Sequence, residues 1–540
     1  MISPERVYQN LHEIQYLITM FSNLLLHSSS FSQYLCNFDN HCVAADNNNK
    51  EVIPDSTTKT FIVIVAAVFY TLLSSPPLFA TASAQFDYWP THGWRTTSPE
   101  EQGMNSDILV DMIQTIRDQE LNVDSITIIR NGFVVMDSYF YPFPDNTKHN
   151  MRSASKSVMS ILIGIAIEKE YIRDVNQPAL SFFPDKTIAN MDENKKKITV
   201  ENLLTMTTGM GCIDGYRHKN KGLYEMRRSS DWAQYVLDLP MTEAPGDRFE
   251  YCSGATYLLS AILQKTTGMR SLDFARKYLF APLGITDASW QNNPQGIDYG
   301  YDQLLLTPRD MAKIGWLYLN KGVWDGSQVV SSAWVIDSTR EHVEAGTISD
   351  HYGYQWWIDE GYYMAVGSGG QFIFIAPEEN IVAVFTSAAP MLEKFLKVKS
   401  LFKSHILASA VSFHPLPFNL SDQKRLDELL VTVRTPPAKR PLSPMPKISK
   451  TVSGRTYVFG TNQLGLESLT LTFPPNSDVA LMKQVFWGKA RELSVGLDNV
   501  FRITKANGRI YAYKGTWQDD NVFIYTFRYI DDANFGDVRL

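Results

Sequence analysis

At 540 residues the chain is too long for one ordinary domain, and long enough to bury a large core without metal or disulfide staples. Hydrophobic residues make up 44% and charged residues 20%, the balance of a soluble globular protein. A formal net charge of −7 with no basic run gives nucleic acid no electrostatic footing.

Taken in chain order, residues 1–60 include the polar stretch Asp46-Asn47-Asn48-Asn49-Lys50 and are expected to be a disordered extension or an over-extended start, with Val52 as candidate initiator. Phe61 to Leu73 is an apolar run, short of the roughly 20 residues a membrane span needs. Lys59 before it and Ala82-Ser83-Ala84 after it give segment 61–84 the form of a secretory signal, with Gln85 as the new N-terminus. The expectation is therefore an exported protein, periplasmic or extracellular, with no stable membrane span after cleavage. If the segment is not a working signal, the location is cytoplasmic and the run is an uncleaved anchor or a buried helix. Of four cysteines only Cys212 and Cys252 survive cleavage. In an oxidising compartment they are a candidate disulfide, two buried thiols being the alternative.

Beyond Gln85, Leu109, Met112, Ile113 and Ile116 share one face of a helix that follows Pro99-Glu100-Glu101. Ile126 to Val135 reads as a hairpin, two apolar runs around Asn131-Gly132. Ser153 then precedes a segment, Val158 to Ile167, that is apolar on nearly every face and reads as a buried helix. Helical patterns dominate to about residue 340, as at Thr256–Thr267 and Arg309–Asn320. Strand patterns return at Tyr362–Val366, Phe372–Ala376 and Ile381–Thr386. Strands at both ends with helices between imply an α+β domain over 85–430, one sheet assembled from the two ends beside a helical subdomain. Five prolines mark a linker within 431–448. Past it, short strands such as Leu469–Phe473, Ile510–Tyr513 and Val522–Phe527 make residues 449–540 a separate all-β module.

The chemistry concentrates in three places. Ser153-Ala154-Ser155-Lys156 is a Ser-x-x-Lys motif, and residues i and i+3 at a helix start share a face. A neutral lysine amine there takes the serine proton during attack. The spacing recurs at Ser56, Ser400 and Ser421, but only Ser153 opens a strongly apolar helix. Tyr251-Cys252-Ser253 follows a Pro-Gly-Asp turn and precedes a helix, and a tyrosine beside a lysine serves as general acid or base. The alternative is an ordinary core tyrosine. Gly367-Ser368-Gly369-Gly370-Gln371 interrupts a strand with glycines, the mark of close backbone approach. If a substrate carbonyl makes that approach, the N–H groups of Ser153 and Ser368 form an oxyanion hole; the alternative is a bulge or tight turn. No CxxC pair, His/Cys cluster, HExxH, Walker loop or GxGxxG is present, so neither a metal nor a nucleotide cofactor is expected.

In this order the three elements resemble the serine β-lactamase and penicillin-binding superfamily, in its class C-like branch. Leu203-Leu204-Thr205-Met206-Thr207-Thr208-Gly209, Pro308-Arg309-Asp310-Met311-Ala312 and Tyr352-Gly353-Tyr354-Gln355-Trp356-Trp357 look like that branch's landmarks. The Ala365 to Gln371 segment is most similar to 6-aminohexanoate-dimer hydrolase-type enzymes. The resemblance implies a β-lactamase-like fold, a mixed antiparallel sheet flanked by helices with the site against a helical subdomain. It also implies an acyl-enzyme route: Ser153 attacks, Lys156 and Tyr251 move protons, and no cofactor takes part. Ser253, Gly367, Gly369, Gln371 and Trp357 become candidate contacts for a small-molecule or peptide-like substrate. Two departures narrow that substrate. Ser253 stands where the family often has asparagine, and Ala365-Val366-Gly367 where it often has Lys-Thr-Gly. The missing cation and hydroxyl normally hold the carboxylate of β-lactams and D-Ala-D-Ala peptides, so an amide or ester lacking that group is expected. Carboxylesterase, β-lactamase, D-amino-acid peptidase and a non-catalytic binding homologue are the alternatives.

Overall fold

Val123–Arg130 and Phe133–Tyr139 form the expected hairpin. The chain reverses at Asn131 and Gly132, with φ of 52° and 82°, a region that asparagine and glycine enter at least cost. Ile381–Ser387, from the far end of the domain, pairs antiparallel with Val123–Arg130, placing Ile381 opposite Arg130. The sheet is thus assembled from both ends of the domain. Its nine strands run Arg95–Thr96, Phe133–Tyr139, Val123–Arg130, Ile381–Ser387, Gln371–Ala376, Tyr362–Gly367, Trp357–Asp359, His351–Tyr352 and Val343–Glu344. Arg95–Thr96 lies parallel to its neighbour and the other pairings are antiparallel, which makes the sheet mixed.

In this computed structural model the described residues are 88–540, apart from 146, 213–220, 347, 390, 443 and 463–464. The expected extension and signal segment, 1–84, lie outside them. Among the described residues no helix is long and apolar enough to cross a membrane, and no cluster of His, Cys, Asp and Glu is placed to hold a metal ion.

Helices cover the sheet because their apolar faces have nowhere else to go. Ser106–Asp118, capped by the Asn105 side chain, buries Leu109, Met112, Ile113 and Ile116. Pro308–Leu319 lies close on the sheet at Gly315, where a Cβ would come within 2.5 Å of a Val382 methyl. Ser155–Glu168 is buried from Ser155 to Ala166, as its all-round apolar pattern predicts. It packs against Ser253–Thr267 of the helical region.

The proline-bearing linker starts four residues later than the expected 431. Leu420–Arg434 is helical, so the extended stretch starts at Thr435, and a short helix, Lys447–Val452, leads into the strands. Among the described residues the module is an eight-stranded sheet, antiparallel except where Lys489–Gly496 meets Arg509–Trp517 in parallel, and its strands alternate as half-buried strands must. Leu469, Leu471 and Phe473 point inward from one strand, Ala480 and Met482 from the next. It is tied to the α+β domain: Phe143 packs with Ala512 and Ile530, the Phe501 N–H donates to the Tyr141 hydroxyl at 2.7 Å, and Arg528 Nη2 donates to Asn122 Oδ1 at 2.6 Å.

Candidate active site

Ser153 sits in a 3₁₀ turn, Arg152–Ala154, just ahead of the buried helix. Lys156 lies one turn on and is 1% exposed. Its Nζ donates to Ser153 Oγ at 3.1 Å, to Ser253 Oγ at 3.1 Å and to the Tyr301 carbonyl at 3.2 Å. All three partners are neutral oxygens, so a buried amine meets the candidate nucleophile with its hydrogen bonds satisfied and no counter-charge among those partners. The Tyr251 ring lies over the same Nζ, centroid at 4.8 Å, and the Tyr301 ring at 5.5 Å. Burial pushes the Tyr301 hydroxyl well above the usual phenol range, which keeps it neutral, while Arg227 Nε donates to it at 3.0 Å. Ser153, Lys156, Tyr251 and Ser253 are thus brought together from a helix start, a loop and a second helix start. The other described Ser-x-x-Lys pairs, Ser400/Lys403 and Ser421/Lys424, lie on exposed helical surface.

Tyr251 is held by aromatic neighbours. Trp357 stacks on it at 5.7 Å with an interplanar angle of 26°, and Tyr352 meets it edge-on at 6.5 Å. Trp357 is 5% exposed, so it presents little surface to a substrate and acts as the wall behind Tyr251. The next residue, Cys252, caps the Ser253–Thr267 helix through its sulfur and is joined to Cys212 by a disulfide. Tyr251 therefore hangs between a covalent tie on one side and a ring stack on the other.

The glycine-rich segment lies close against the turn that carries Ser153. A Cβ at Gly367 would lie 2.2 Å from the Met151 carbonyl and 3.0 Å from Arg152 Cβ. The close approach is thus made by the chain's own turn around Arg152, on the strand end next to Ser368. Gly369 and Gly370 have φ of 85° and 92°. A Cβ at Gly369 would sit 2.7 Å from Ala533 Cβ, in the C-terminal module. Gln371 is fully buried, its Nε2 donating to the Ser387 and Ser368 carbonyls at 2.6 and 3.3 Å and its Oε1 accepting from the Ser387 N–H at 3.3 Å. Its amide shapes the loop that carries Ser368, with both polar atoms hydrogen-bonded inside the chain.

Sequence reasoning quoted Gln355 only as part of a landmark, yet this residue knits the site together. It is 1% exposed and holds a left-handed φ of 65°. Its Nε2 donates to the Leu203 and Leu204 carbonyls, both at 3.0 Å, and its Oε1 accepts from Thr256 Oγ1 at 2.8 Å. Its carbonyl accepts from Ser157 Oγ at 2.6 Å. Through its side chain and its own carbonyl this residue joins the Ser253 helix, the helix Val200–Thr205 and the Lys156 helix. A glutamine between two tyrosines and two tryptophans was the available signal: an amide among bulky aromatics is buried, and a buried amide must be satisfied.

A buried lysine on a serine hydroxyl, beside a mixed sheet closed from both ends of its domain, defines a β-lactamase-like fold with the makings of a serine hydrolase. Residues 109–398 match the Beta-lactamase family model, and the chain belongs to that family as a serine hydrolase. The chain is 25% identical over 314 residues to the 6-aminohexanoate-dimer hydrolase of Paenarthrobacter ureafaciens, covering 54% of this chain and 80% of that protein. Among solved structures it is similar to an octameric penicillin-binding protein homologue from Pyrococcus abyssi, with 18% identity, a TM-score of 0.45, and coverage of 80% and 97% of the two chains. It is also similar to a family VIII carboxylesterase, with 14% identity, a TM-score of 0.44, and coverage of 63% and 98%.

Proposed function

We propose that the protein is an exported hydrolase that cleaves a linear amide or ester through an acyl-enzyme on Ser153. The observation that carries this reading is the 3.1 Å contact of the buried Lys156 Nζ with Ser153 Oγ. In the proposed cycle Lys156 takes the hydroxyl proton as Ser153 attacks the carbonyl carbon. The N–H groups of Ser153 and Ser368 hold the oxyanion, and one such donor is worth about 2.7–4 kcal/mol of barrier. Tyr251, over the lysine, passes the proton to the departing amine or alcohol. Water then attacks the acyl group by the reverse of these steps and releases the acid.

The substrate follows from what the strand beside Ser153 lacks. Ala365 and Val366 are buried, 0% and 5% exposed, and carry neither the cation nor the hydroxyl that would hold a carboxylate. Acyl groups with no carboxylate to be held there fit that edge, and similarity to a 6-aminohexanoate-dimer hydrolase supports a linear amide. We expect kcat/KM for a short p-nitrophenyl ester or linear anilide to exceed that for a penicillin or cephalosporin by about 10²-fold or more. A competition assay across such a panel decides it, and β-lactam turnover equal to that of the esters sinks this substrate assignment.

Export is supported by the Cys212–Cys252 disulfide, since such bonds persist in oxidising compartments and are rare in the cytosol. N-terminal sequencing of protein recovered outside the cytoplasm is expected to begin at Gln85. A mature end far from that residue, or recovery only from the cytosol, contradicts it.

A further inference from the structure

The family match ends at residue 398, yet the C-terminal module reaches into the site through the loop 531–533, which lies between its last two strands. Asp532 is 2% exposed. Its Oδ1 meets Arg152 Nη2 at 2.7 Å and accepts from Asn150 Nδ2 at 3.4 Å and from the Ala533 N–H at 2.9 Å. Its Oδ2 accepts from Arg509 Nη1 at 3.0 Å and from Asn534 Nδ2 at 3.3 Å. Arg152 is the residue immediately before Ser153, and it holds a left-handed φ of 52°. A non-glycine residue stays in that region only where its surroundings fix it. The Arg152 N–H donates to Asn150 Oδ1 at 2.9 Å, and the Asn150 N–H donates to the Asp531 carbonyl at 2.9 Å. On the other side of the site, Ala533 Cβ fills the space that a side chain at Gly369 would need, next to Ser368.

The geometry points to Asp532 as a positioning residue for catalysis: the module's 531–533 loop clamps the turn that aims Ser153 and backs the segment that carries the Ser368 amide. The assignment rests on Ser153 being the nucleophile. Asp532 touches no reacting atom and acts through Arg152. A displacement of about 1 Å at a reacting centre costs on the order of 10²-fold in rate, so a loosened turn lowers kcat while substrate binding elsewhere is kept.

The test uses the full chain with Asp532→Ala and Asp532→Asn. Three readouts are compared: labelling rate of Ser153 by a fluorophosphonate, located by mass spectrometry; kcat and KM on a p-nitrophenyl ester; and Tm. Asp532→Ala is expected to lower kcat and the labelling rate about 10²-fold with KM within about threefold, while Asp532→Asn, whose amide oxygen still accepts from Arg152 but without the charge, loses only about three- to tenfold in kcat at unchanged KM and Tm. A folded Asp532→Ala with wild-type kcat and labelling overturns the proposal. So does a loss of kcat that merely tracks the loss of folded protein. If Asp532→Ala does not fold, Asp532→Asn decides: reduced kcat at unchanged KM and Tm supports the clamp, and wild-type kcat overturns it. Absence of labelling at Ser153 in the wild type defeats the functional reading itself, and the clamp falls with it.

Discussion

Ser153→Ala is expected to lower kcat on any ester or amide substrate by at least about 10⁴-fold, because removal of a nucleophile leaves only binding and oxyanion stabilisation. The effect on the fold is small by comparison. The lost group is one hydroxyl that accepts from Lys156 Nζ, and that amine keeps Ser253 Oγ and the Tyr301 carbonyl. A single such hydrogen bond is worth about 1 kcal/mol. Steady-state rates together with a thermal melt check both halves. A Ser153→Ala protein with wild-type turnover places the nucleophile elsewhere.

Lys156→Met is expected to lower kcat by about 10²–10⁴-fold, the range for removing a positioned general base. Methionine fills the lysine's space but cannot take a proton. Two terms set its stability. The Tyr301 carbonyl loses its Lys156 donor, at a cost of about 1–3 kcal/mol if left unsatisfied. Against this, a buried amine no longer has to be desolvated, and such replacements by apolar groups are often neutral. A melt near that of wild type with a collapsed acylation rate is the expected pattern. A methionine variant whose acylation is within about threefold of wild type would remove Lys156 from the chemistry.

The Ser153–Lys156 contact was legible because its signals are local. Ser153 and Lys156 are separated by one helical turn, and the apolar run behind them marks a buried helix. The sheet was legible for the same reason, since Asn131-Gly132 announces a hairpin and the returning strands are mostly apolar. What escaped is non-local. Asp532 meets Asn150 from 382 residues away, and nothing in an Asp-Asp-Ala triplet after a strand announces that neighbour. The glycines were read correctly as sites of close approach, but sequence could not say what approaches. At Gly367 it is the Met151 carbonyl. Gln371 and Trp357 were matched to substrate through resemblance alone. Burial assigns one to its own loop and the other to the back of Tyr251.

The most direct test is a stopped-flow time course with a p-nitrophenyl ester, quenched during the first turnover and mapped by peptide mass spectrometry. A burst of about one equivalent of p-nitrophenol per enzyme is expected, with the acyl group on the peptide that carries Ser153, and no burst in Ser153→Ala. An acyl group on another residue, or an equal burst in the alanine variant, would contradict it.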